Sequence, residues 1–99
     1  MNRNNKKSII KNKILNQSLI DFSISISQHS DPGLVGISGK ICEDNKNILV
    51  LEVEGDKFIS IMKSTGVFKF NIEGIDVTIQ GDQLVGNQKS RGKKKYHSW

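Results

Sequence analysis

Alternation of apolar and polar positions dominates the middle of the chain. Over residues 20–27, Ile20, Phe22, Ile24 and Ile26 alternate with Asp21, Ser23, Ser25 and Ser27, which predicts a strand with one buried and one wet face. Residues 34–43 predict a second strand, with Val35, Ile37 and Ile41 on one side and Lys40 on the other. In a third, Leu49, Leu51 and Val53 alternate with Val50, Glu52 and Glu54. A fourth covers residues 57–63; a fifth places Phe68, Phe70 and Ile72 on one face, and a sixth sets Ile75, Val77 and Ile79 against Asp76, Thr78 and Gln80. Turn residues separate them, including Gly55-Asp56, Glu73-Gly74 and Gly81-Asp82.

Short strands joined by tight turns, without a βαβ rhythm, predict a mainly β domain, a small antiparallel barrel of the Sm-like or SH3-like kind with about six strands. The run Asp31-Pro32-Gly33-Leu34-Val35-Gly36-Ile37-Ser38-Gly39 supplies the expected curvature. Pro32 fixes its own φ, Gly33 lets the chain reverse, and Gly36 and Gly39 mark bends within the second strand. Before the first strand, Ser8 can cap a short helix over residues 8–18, with Ile10 and Ile14 on one stripe beside Ile9 and Leu15. So short a helix must dock, either over an open end of the barrel or on a partner. The expected divisions are a disordered arm at residues 1–7, the helix and barrel at 8–86, and a basic helix or tail at 87–99.

Charge sharpens this division. The formal net charge is +5. Residues 1–15 contain Arg3, Lys6, Lys7, Lys11 and Lys13 without an acid, and residues 89–99 contain Lys89, Arg91, Lys93, Lys94 and Lys95 without one. All ten carboxylates lie between. Two basic arms on an acidic globule predict binding to a polyanion by phosphate neutralisation and counterion release. Tyr96, His97 and Trp99 end the chain; they can stack on bases or anchor the tail to the barrel. No apolar run has the length of a membrane span, and the single Cys42 forms no internal disulfide. The expectation is a cytoplasmic protein, monomeric in isolation and without a membrane partner.

Catalytic chemistry does not emerge from the residues. Two histidines and one cysteine lack metal-ligand spacing. The glycines at 33, 36 and 39 precede a strand, so they make no dinucleotide fingerprint. Cys42 reads as a small hydrophobe, and His29 as an exposed loop residue. The polypeptide alone is expected to be non-catalytic.

The stretch Asp31 to Gly39, read with Leu19-Ile20, Glu43-Asp44, Asn47-Ile48-Leu49-Val50, Lys63, Val67-Phe68-Lys69-Phe70, Gly81, Leu84-Val85-Gly86 and the basic tail, resembles the archaeal family of ribonuclease P protein component 1, relatives of a eukaryotic ribonuclease P/MRP subunit. The resemblance covers roughly residues 10–95. It implies an Sm-like barrel with terminal helices, acting as a subunit of the ribonucleoprotein that removes 5′ leaders from precursor tRNA. It implies also that catalysis belongs to the RNA and its Mg²⁺ ions, that the protein binds no cofactor, and that a zinc-ribbon subunit is among its partners. RNA contacts are then expected from Lys6, Lys7, Lys11, Lys13, Lys40, Lys89, Arg91, Lys93, Lys94 and Lys95. A generic RNA-binding barrel, ribosomal or ring-forming, is the alternative; a protein-interaction adaptor using a sheet edge is a third.

Overall fold

The computed structural model describes residues 3–86. Helix α1 spans Arg3–Leu15, followed by β1 (Ser23–His29), a 3₁₀ turn at Pro32–Leu34, β2 (Ser38–Asp44), β3 (Ile48–Val53), β4 (Lys57–Met62), β5 (Gly66–Ile72), β6 (Ile75–Gln80) and a 3₁₀ turn at Gly81–Leu84. The strands form one antiparallel sheet in the order β4-β3-β2-β1-β5-β6. Two register shifts bend it, one between Ile26 and Gln28 in β1 and one between Ile41 and Glu43 in β2. Extra residues of this kind raise local twist, which lets a six-stranded sheet wrap around its own core. No ladder joins the edge strands β4 and β6 among the described residues. They approach instead where Gly81 abuts the Lys63 carbonyl.

The alternation seen in the sequence sorts most of the core, with Ile20 and Val35 as exceptions. Ile24, Ile26, Ile41, Leu49, Leu51, Ile61, Phe68, Phe70, Val77 and Ile79 are buried, joined by Leu19 and Leu84. Phe22 meets Phe70 edge-on, with ring centroids 5.7 Å apart, an arrangement favoured by the ring quadrupoles. Ile14 of α1 belongs to this core, with Ile10 and Leu15 packed against it. The helix therefore covers the sheet through its apolar stripe, while Ile9 stays exposed.

Boundaries differ in informative places. The helix begins at Arg3, so residues 3–7 are helical where an unstructured arm was expected; lysine is a good helix former, and the docked Ile10–Ile14 stripe removes the nucleation cost. The first strand starts at Ser23, because Asp21 takes φ 78°, which throws Ile20 out to solvent. The second starts at Ser38, not residue 34. Pro32 opens a 3₁₀ turn capped by Asp31, whose Oδ1 accepts from the Gly33 N–H at 2.9 Å. Gly33 does not supply the reversal, since only Gly36 in this run has a positive φ, at 91°. Gly36 is thus the turn itself, outside the strand, and Val35 is exposed. Gly39 is within β2, where a Cβ would lie 2.6 Å from the Glu52 carbonyl oxygen. That is a close approach to β3, and it explains the missing side chain. The tail at 87–99 lies outside the described residues.

Candidate nucleic-acid interface

With the inner face of the sheet filled by the core, strand registry decides what the outer face presents. Ser23 pairs with Lys40 and Ser25 with Ser38 across β1–β2. On the other side Ser25 pairs with Lys69, and Lys69 with Thr78. Alternation puts Ser23 and Ser25 outward together, so short hydroxyl side chains form a floor between the longer Lys40 and Lys69. Both lysines are exposed. Ser23, Ser25, Ser38, Lys69, Asn71 and Asp76 line a shallow depression on this face, and Asn71 Nδ2 donates to Asp76 Oδ1 at 2.8 Å. Lysines with hydroxyl and amide groups between them are the composition that phosphate and sugar oxygens engage.

Helix α1 continues the same surface. Lys6 and Lys7 border a second depression with Gly74, Ile75 and Asp76, so Asp76 stands between the two. Lys6, Lys7 and Lys13 are exposed and Lys11 is half-buried. Lys7 and Lys11 are four residues apart and Lys6 and Lys13 seven apart, so the pairs flank the buried Ile10–Ile14 stripe. Lys40 and Lys69, the latter a residue absent from the expected set, share the outer face across β1, with Lys40 registered opposite Glu52 on β3; Lys6 and Lys7 lie at the adjoining depression, which meets the first at Asp76. The alternation Phe68, Phe70, Ile72 already turned Lys69 outward; that β5 lies beside β1 was not readable locally. Lys89, Arg91, Lys93, Lys94 and Lys95 lie outside the described residues.

The chemistry of the remaining polar groups is structural. Lys63 is fully buried, and its Nζ donates to Asp44 Oδ1 at 2.7 Å, to the Leu84 carbonyl at 2.8 Å and to the Gly86 carbonyl at 3.0 Å. The Lys46 carbonyl is 3.4 Å away. Within the sequence Lys63 stands in a family motif, and its place after Ile59 and Ile61 in the alternation points it inward. His29 is half-buried rather than a free loop residue. Its Nδ1 accepts from the Asp31 N–H at 3.0 Å, so Nε2 carries the proton and donates to the Met62 carbonyl at 3.0 Å. The ring ties β1, the 3₁₀ turn and the end of β4 together. His29→Ala is expected to lower the unfolding free energy by about 1–3 kcal/mol, measured by urea denaturation, without changing nucleic-acid affinity. Cys42 is half-buried and its Sγ lies 3.4 Å from the Val50 carbonyl. Among the described residues no cluster of three or more His, Cys, Asp or Glu is placed to hold a metal ion, and no helix is long and apolar enough to cross a membrane.

The model of the family described as "Ribonuclease P/MRP, subunit p29" matches residues 12–94. Ribonuclease P protein component 1 of Methanocaldococcus jannaschii is 33% identical over 87 residues, covering 88% of this chain and 92% of that protein. Its counterpart in Pyrococcus abyssi is 33% identical over 92 residues, covering 92% of this chain and 71% of that protein. A solved structure described as a homologue of the human RNase P protein Rpp29 superposes with a TM-score of 0.56 at 30% identity. It covers 76% of this chain and 97% of its own.

Proposed function

The chain belongs to the family of ribonuclease P/MRP subunit p29, and we propose that it serves ribonuclease P as a non-catalytic protein subunit that lowers phosphate repulsion in the catalytic RNA and between that RNA and precursor tRNA. The single observation that carries the electrostatic part is the registry of Lys40, Ser23, Ser25 and Lys69 on one outer face, continued by Lys6 and Lys7. Phosphate contacts of this kind position a protein on its RNA without reading sequence. The Mg²⁺ ions the reaction uses would act within the RNA. Other protein subunits, a zinc-ribbon subunit among them, would complete the particle. A generic RNA-binding barrel has no observation in its favour over this reading.

The test is RNA affinity across salt. Lys40→Gln with Lys69→Gln is expected to reduce the slope of log affinity against log salt by about 1.4–1.8, two phosphate contacts' worth. The melting temperature stays near that of the parent, because both side chains are exposed. An unchanged slope in the folded double variant would remove this face from the interface.

A further inference from the structure

The outer face carries an acid where phosphate binding alone would want none. Asp76 borders both depressions, with Lys69 in the first and Lys6 and Lys7 in the second. None of these lysines is paired with it; among the described residues the ion pair is the buried one between Lys63 and Asp44. Asp76 accepts instead from a neutral group, Asn71 Nδ2, at 2.8 Å. Asn71 and Asp76 are directly opposed across β5–β6, and Lys69 and Thr78 are the next outward pair. Lys69 is therefore a diagonal neighbour of Asp76, about 7–8 Å away along the sheet. Lys69, Asn71 and Asp76 are all exposed.

The Asn71–Asp76 hydrogen bond fixes which polar atoms remain for a ligand. A carboxylate accepts only, so the Asn71 amide turns its NH₂ toward Asp76 and keeps Oδ1 as an acceptor. Asp76 keeps Oδ2. The depression thus offers a cationic donor at Lys69 and two acceptors, with the Ser23, Ser25 and Ser38 hydroxyls beside them. A phosphate presents acceptors alone and is repelled by the carboxylate. The ligand that fits presents one acceptor next to two donors. Among the Watson–Crick edges of unpaired bases that is guanine, with O6 followed by N1–H and the N2 amino group; cytosine has the reverse order, and adenine and uracil have one donor group each.

We infer that this depression is a binding site for an unpaired guanine base. Asp76 and Asn71 accept from N1–H and the N2 amino group, Lys69 donates to O6, and Lys6 and Lys7 beyond Asp76 hold phosphate of the same strand. The inference rests on the reading of the chain as an RNA-binding subunit and adds base selection to it, since phosphate contacts carry no sequence information. It also gives the acid a role, which a surface for phosphate alone does not.

The experiment measures binding of the full chain to three short single-stranded oligoribonucleotides by fluorescence anisotropy. One is all uridine, one has a single guanosine at its centre, and one has inosine there, which lacks only the N2 amino group. The parent is expected to bind the guanosine strand about fivefold or more tightly than either of the others. Asp76→Asn still accepts from the Asn71 amide but places an amino group where the guanine donors arrive, so the preference is expected to vanish. Binding to the all-uridine strand is expected to be no weaker, a negative charge having left the neighbourhood of three lysines. The two accounts therefore differ in sign: on a surface for phosphate alone, Asp76→Asn would bind the guanosine strand as well as the parent or better. That result, or equal affinity of the parent for the three strands with steep salt dependence, would overturn the guanine site and leave the RNA reading standing. Salt-independent binding, or none, by the parent would overturn the RNA reading and the site with it.

Discussion

Gly81→Ala is expected to be the most damaging single substitution in the domain. A Cβ there would fall 1.6 Å from the Lys63 carbonyl oxygen, 2.7 Å from the carbonyl carbon and 2.8 Å from the Gly66 carbonyl oxygen. All three are backbone atoms, so no side-chain rotation relieves the overlap. The Lys63 carbonyl is itself held by the Gly66 N–H at 3.2 Å, and the Lys63 N–H by the Asn47 carbonyl at 2.9 Å. Moving that backbone would pull on the buried ammonium as well. The expected loss exceeds about 4 kcal/mol, beyond the range of ordinary point substitutions and a large share of a small domain's total stability. Urea unfolding checks it against Gly33→Ala. There the nearest atom to the new Cβ is the tip of the Asp31 side chain at 3.3 Å, and a change within about 1 kcal/mol is expected. A Gly81→Ala protein as stable as the parent would mean that the β4 and β6 edges do not meet at this corner.

The second large effect concerns affinity. Replacing Lys89, Arg91, Lys93, Lys94 and Lys95 together with Gln is expected to weaken binding to ribonuclease P RNA by at least about tenfold at low salt, and to flatten the salt slope by about 3.5–4.5 if each meets one phosphate. Filter binding from low to moderate salt measures both. With the basic run acting electrostatically, stability is expected to change by no more than about 0.5 kcal/mol. Wild-type affinity and slope in the neutral-tail protein would assign the whole electrostatic contribution to the helix and sheet lysines.

The sequence made some of this legible and hid the rest for physical reasons. Period-two alternation marked the inner face of β3, β5 and β6, because each of those strands has one dry and one wet side. It misled at Ile20 and Val35. There the backbone leaves the extended conformation at Asp21 and at the Pro32–Leu34 turn, and alternation carries no information about φ. The exposed lysines of α1 were visible as charge. That Lys69 lies beside Ser25 on the outer face was not, since β1 pairs with β5 across some forty residues of chain. Lys63 could be seen to point inward, but Asp44, Leu84 and Gly86 converge on it only in three dimensions. The family was readable because the motif pieces recur in order over nearly the whole chain, and the family match over residues 12–94 agrees.

The most direct test of the central claim is cleavage of precursor tRNA by reconstituted ribonuclease P at modest Mg²⁺, with the cognate RNA and the other protein subunits, in the presence and absence of this protein. Faster cleavage, or the same rate at lower Mg²⁺, is the result expected of a subunit that neutralises phosphate repulsion. Identical rates and identical Mg²⁺ dependence with and without it, while the protein still binds the RNA, would contradict the account.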